Sequence, residues 1–248
     1  MHSSLLAITL STLAAAAPHS ARQVPNYPPT SSSQGFKLVA NVTDPSKDLI
    51  PSIKSWTVQA YHTGAGTNVA VLAAATDASP GSIFYENGTA EAVRYGDTTV
   101  LTDEGTPPAP YGIYVDGPEE YDPANPDLHG AVINVGQWSR AGISQFPNPY
   151  PVLFNGEGTG TFVACSSFVP YYQRDLITLD YAYATFTAPD GSYEYNANIP
   201  EGCAPVTLVP ECAQLNELPE GSFSSHEFAA TERCYDDVAS IDWTQYGP

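Results

Sequence analysis

Leu176-Ile-Thr-Leu-Asp-Tyr-Ala-Tyr-Ala-Thr-Phe186 is the stretch that decides the fold class of this chain. Its β-branched and aromatic residues suit a pleated, half-buried surface, and it reads as the longest strand. Shorter segments of the same kind lie on either side. Phe36 to Val42 alternates apolar and polar residues, as does Trp56 to His62. The turn Thr63-Gly-Ala-Gly-Thr67 leads into a returning strand, Val69 to Leu72. Thr98–Leu101, Tyr111–Val115, Ala131–Val135, Val152–Phe154 and Thr161–Cys165 add further β segments. Ser82–Tyr85, Asn87-Gly88 and Ala90–Tyr95 form the strongest short-range hairpin signal, because Asn-Gly tolerates the positive φ angles of a type I′ turn.

Short strands at close spacing, punctuated by 19 Gly and 23 Pro, predict a mainly β fold, an antiparallel β-sandwich or barrel. Helical periodicity is nearly absent until the end of the chain. There Ser224-x-x-Glu227 resembles a capping box, and Arg233 to Ile241 is expected to form one short helix. The alternation of Phe228, Ala230 and Glu232 leaves a strand before that helix equally open.

Upstream of the β segments, Leu5–Leu13 is a short apolar run followed by the small residues Ala14–Ala17, which reads as a secretory signal peptide over residues 1–17. Residues 18–35, rich in Pro and Ser, read as a flexible lead-in. Residues 36–248 are then expected to form a single β-rich domain, with the protein secreted, extracellular or associated with a cell wall. The formal charge of −19, from 27 acidic residues against 8 Lys and Arg, repels phosphate backbones and anionic lipid headgroups. Neither nucleic acid nor membrane insertion is expected. Disorder does not follow from that charge, since 16 Tyr, 9 Phe and 3 Trp supply ample apolar area.

Cys165, Cys203, Cys212 and Cys234 are the four cysteines, an even count that implies disulfides in an exported chain. Local pairing favours Cys165–Cys203 with Cys212–Cys234 among three possible connectivities. A zinc site is the weaker reading, because CxxC is absent. Asn41-Val-Thr43 and Asn87-Gly-Thr89 are N-glycosylation acceptors, and the secretory route favours use of at least one.

No cofactor, metal or catalytic motif emerges. The glycines after His62, and those in Asn155–Gly160, sit between strands and read as hairpin turns rather than phosphate loops. The acidic, Pro-rich stretch Asp116–Asp127 lacks the order of a calcium loop and reads as a solvated loop. The nucleophile elbow G-x-S-x-G and the zinc-protease H-E-x-x-H are both missing. A glycosidase needs only two facing carboxylates, and Asp175, Asp180, Asp190 and Glu194 lie on or near strands, which keeps that option open. Tyr171, Tyr172, Tyr181, Tyr183, Tyr193 and Tyr195 offer a second option, a surface that stacks on sugar rings; the plainer reading places them in the core and rim of a sheet.

Phe36–Val42, Tyr61–Asn68, Val71-Leu72 and Phe84–Thr89 resemble secreted filamentous-fungal proteins related to cell-wall and IgE-binding-type proteins. Cys203–Trp243, with Glu217–Gly221 and Ser225–Ala230, is similar to a fungal secreted family without an established activity. The resemblance carries over no catalytic residue. It implies a non-catalytic protein acting at the fungal wall or at a host or competitor surface, an effector or virulence factor, with a wall glycan or a host surface protein as partner. The alternative is an acid-acting hydrolase, or a glycan-binding module, of wall polymers.

Overall fold

The computed structural model describes residues 27–95, 97–116, 127–136, 141–144, 150–156, 158–187 and 194–246. In chain order these form β1 (Ser31–Ser33), β2 (Gly35–Val42), β3 (Thr57–Gly64), β4 (Thr67–Ala73), β5 (Phe84–Asn87), α1 (Ala90–Tyr95), β6 (Thr99–Glu104), β7 (Ala109–Val115) and β8 (Leu128–Val135). There follow β9 (Ala141–Ile143), β10 (Leu153–Asn155), β11 (Gly160–Val169), β12 (Arg174–Tyr183), β13 (Thr185–Thr187), β14 (Glu194–Asn196), β15 (Cys203–Ala213) and β16 (Glu232–Cys234).

Ten of these strands join one antiparallel sheet that closes on itself, so the fold is a β-barrel. One closed circuit runs through nine strands, β11-β15-β2-β5-β6-β7-β8-β4-β12, and back to β11. Closure depends on two strands that change partner along one edge. The start of β2 pairs Gly35 and Phe36 with Tyr85 and Phe84 of β5, whereas Val39 pairs with Thr57 of β3. In the same way β12 gives Thr178 to Val71 of β4 and residues 180–182 to β8. The β3–β4 hairpin therefore wedges in at one end, and the β5–β8 meander fills the other.

Alternation puts one face of each strand inside. Phe36, Leu38 and Ala40 of β2, Phe84 of β5, Ile113 and Val115 of β7, Ile133 of β8, Leu179 and Tyr181 of β12, and Val206 and Leu208 of β15 share one buried core. Two C-terminal segments cover the outer face. Residues 214–230 cross β5 and β6, where Ala229 packs with Tyr85 and Leu101. Beyond β16, Tyr235 and Val238 pack on Val39 and Val209, with Trp243 against them. The stretch 27–34, within the lead-in, meets this C-terminal cover: β1 pairs with β16, and Tyr27 lies against Tyr150 and Tyr246.

Both disulfides join the cysteines favoured by local pairing, Cys165–Cys203 and Cys212–Cys234. Two expectations are corrected. Ala90–Tyr95 is a helix, not the second arm of a hairpin, and β5 pairs instead with β6 beyond it. Ala, Glu and Arg favour the helix, and Thr89 Oγ1 accepts from Ala92 N–H at its start. The expected helix at Arg233–Ile241 is absent; Glu232–Cys234 is a strand, and the tail holds only a 3₁₀ turn at Trp243–Gln245. Pairing of β16 with β1 and the Cys212–Cys234 bridge hold that stretch extended.

Candidate functional site

The tyrosines singled out in the sequence separate into three groups. Tyr181 is in the core, and Tyr183 packs against it, half-buried. Tyr195 is exposed on β14, while Tyr193 lies outside the described residues. Tyr171 and Tyr172 stand at the turn between β11 and β12, and there they meet the end of β3.

At that barrel end Tyr172 lies 5.5 Å from the Tyr61 ring and 5.2 Å from Tyr171, and Tyr171 meets His62 edge-on at 5.5 Å. The Arg174 guanidinium sits over Tyr172 at 6.0 Å. Tyr171 is 57% exposed and Phe168, on the same hairpin, 58%. Burial first, then the neighbouring Tyr171 and Tyr61, hold the Tyr172 phenol above its ordinary value. The β-hairpin geometry makes the platform. Residue 171 follows the last pair of the β11–β12 ladder, Val169↔Arg174, and Gln173 takes a left-handed φ of 52° in the turn. His62 sits where the β3–β4 register shifts, ahead of a turn with Gly66 at φ 75°. Such a surface offers ring faces, hydroxyls and one guanidinium to a flat, hydroxyl-bearing ligand.

The carboxylates scatter. Asp175 is exposed at the start of β12, opposite Phe168. Asp180 is largely buried on the outer face, where Thr178 donates to it at 2.8 Å and burial pushes its carboxyl up to about 6. Asp190 and the side chain of Glu194 lie outside the described residues.

Another pair, unforeseen in the sequence, is sealed inside. Glu86 is 1% exposed and Glu232 is fully buried. Thr98 Oγ1 and the Ile143 amide donate to the two oxygens of Glu86. Burial, and then the charge of Glu232, push the Glu86 carboxyl up to about 8. Alternation carried the signal: Phe84 faces inward, so Glu86 two residues on does too. A Cβ on Gly142 would stand 2.7 Å from Thr98 Oγ1 and 3.1 Å from Glu86 Oε1, so glycine there makes room for the pair.

A third cluster ties the 214–230 segment down. Asp103, whose side chain is 4% exposed, receives Tyr85 O–H at 3.2 Å and lies 2.9 Å from His226 Nε2. Burial and Asp103 together raise the Tyr85 phenol. This cluster binds one chain segment to another. Among the described residues, no group of three or more His, Cys, Asp or Glu is placed to hold a metal ion, and no helix is long and apolar enough to cross a membrane. The acidic stretch Asp116–Asp127 falls outside the described residues over 117–126.

Residues 33–212 match the model of a family described as a domain of unknown function (DUF7907). A curated relative, antigenic protein SchS34 of Stachybotrys chartarum, is 44% identical over 237 residues, covering 94% of this chain and 100% of that protein. No solved structure matches the chain.

Proposed function

The chain belongs to the DUF7907 family, and from that premise we propose that it is an exported, non-catalytic fungal β-barrel. It acts at the fungal wall or at a host or competitor surface by holding polysaccharide on its aromatic end. The observation that carries this reading is the cluster of Tyr61, His62, Tyr171 and Tyr172, in which His62 and Tyr171 are exposed and the other two half-buried, with Arg174 beside it. Rings that protrude at a hairpin tip add nothing to the core, but they present stacking faces to sugars. Two bridges suit an oxidising compartment. The antigenic relative is in keeping with a protein that meets a host from outside the cell.

A wall hydrolase would instead need two carboxyl groups about 5–9.5 Å apart across an open site. The described pair, Glu86 and Glu232, is closed to solvent.

The test is co-sedimentation of the secreted protein with insoluble chitin, β-glucan and host walls, with reducing sugar measured in the same tubes. Binding to at least one polymer is expected, without sugar release. Tyr171→Ala should weaken it about 2- to 10-fold, the scale of one aromatic contact, while thermal unfolding stays as in the parent. Binding that ignores Tyr171, or steady sugar release, would overturn the reading.

A further inference from the structure

The two acceptor sequences for N-linked sugar stand in opposite surroundings. Asn41 lies on the outer face of β2, 8% exposed, opposite Thr207 in the β2–β15 ladder. Its Nδ2 donates to Thr207 Oγ1 at 3.5 Å, and the Thr43 hydroxyl donates to Pro205 O at 3.3 Å. A sugar on that nitrogen would have to pass through the packed outer face of the barrel.

Asn87 is the last residue of β5 and is half-buried. One end of its amide is buried without a hydrogen-bond partner, so the side chain is not tied down as that of Asn41 is. Gly88 then turns the chain outward to Thr89, which is exposed at the start of α1. The acceptor sequence thus runs from a half-buried asparagine at a strand end to an exposed hydroxyl before a helix, where the chain leaves the sheet.

We propose that Asn87 carries an N-linked oligosaccharide in the mature protein and that Asn41 does not. This rests on the export proposed above, since the sugar is transferred in the secretory route. In the transfer, a bond forms between Asn87 Nδ2 and the anomeric carbon of a diphospholipid-linked oligosaccharide. The bond from that carbon to the diphosphate breaks, the diphospholipid leaves with the electron pair, and the amide nitrogen loses one proton. Sugar attached at Asn41 before folding would displace its side chain from Thr207 and from the packed outer face, so the exported population bears sugar at Asn87 alone.

The full chain is expressed in a fungal secretory host, and protein from the medium is treated with an amide-cleaving glycosidase in heavy-oxygen water. Peptide mass spectrometry should find heavy aspartate at position 87 and unmodified asparagine at 41. Asn87→Gln, and independently Thr89→Ala, should abolish the glycosidase-dependent gel shift, and Asn41→Gln should leave it intact. Secreted protein with sugar at Asn41, or with none, overturns the assignment and leaves export standing. Retention inside the cell overturns both.

Discussion

Glu86 sets the pH dependence of the barrel. Its carboxyl is buried beside Glu232, so one negative charge is expensive there and two are more so. The neutral form is favoured, and the pKa rises to about 8. Because this folded value lies above the ordinary one near 4.5, the folded state holds its proton longer than the unfolded state does. The associated stability is fully present below about pH 4.5 and is lost as pH rises through about 8, by up to about 1.4 kcal/mol per pH unit. Glu104, pushed up to about 7, and Asp180, at about 6, act in the same direction. Asp44 and Asp242, which cap exposed turns, are lowered and act oppositely, losing their contribution as pH falls below the ordinary carboxylate range. The protein is therefore expected to unfold at a higher temperature at pH 5 than at pH 8.5. Glu86→Gln has no proton to lose, so it should flatten the decline between those pH values. In acid, where Glu86 is itself neutral, it should cost little, because the amide oxygen can accept from Ile143 N–H while its nitrogen donates to the Thr98 hydroxyl. Chemical denaturation across that range measures both effects. An unchanged slope in the variant would show that Glu86 is not the titrating group.

Among the elements, the segment 214–230 is held by a few bonds rather than by a ladder. Phe223 and Ser224 N–H both reach Pro108 O, Ala230 N–H reaches Glu86 O, and His226 meets Asp103. Removing the imidazole leaves the buried Asp103 carboxylate with Tyr85 as its remaining donor, at a local cost of about 1–3 kcal/mol. His226→Ala should thus speed amide exchange and proteolytic cleavage within 222–230 and leave β2 and β15 protected; equal loosening everywhere would refute a local tether. The strands show which elements a sequence discloses. β12 was plain because nothing within it breaks the pattern. β15 is longer, yet Pro205 and Pro210 masked it. In an extended strand a residue's N–H and C=O point to the same side. Pro210 O accepts from Tyr235 N–H and Pro205 O from Thr43 N–H, so both missing donors face away from the strands opposite them, β2 and β11. Helix α1 was hidden for a different reason, since Asn-Gly signals a hairpin whether or not the next segment can return. The aromatic end was half legible: Tyr171 and Tyr172 stood out, but Tyr61 and His62 join them only through barrel closure.

At the scale of the molecule, β15 is the strand on which the closed fold depends, and both disulfides end on it. Cys203 is bridged to Cys165, its register partner on β11, and Cys212 is bridged to Cys234 on β16. Sequence separations of 38 and 22 give the two bridges similar loop-closure contributions, about 3.9 and 3.4 kcal/mol. Their consequences differ. Without Cys165–Cys203, the β11–β15 ladder and its hydrogen bonds remain. Without Cys212–Cys234, β16 keeps its short pairing with β1 and, just beyond it, the two backbone bonds of Tyr235 to Pro210 and Cys212, and β16 is what carries Glu232 against Glu86. A loosened β16 would admit water to Glu86, whose pKa would then fall toward the ordinary carboxylate value. In a chain of net charge −19, that ionisation also adds to self-repulsion. The variant Cys165→Ala/Cys203→Ala is therefore expected to lose about 4 kcal/mol at pH 5 and at pH 8.5 alike. Cys212→Ala/Cys234→Ala should lose more at pH 5 than at pH 8.5, because the parent has already given up its Glu86 contribution in alkali. Denaturant unfolding of both variants at the two pH values measures the difference. If the two double variants show the same pH profile, β16 does not seal the carboxyl pair, and its bridge stabilises the barrel through chain entropy alone.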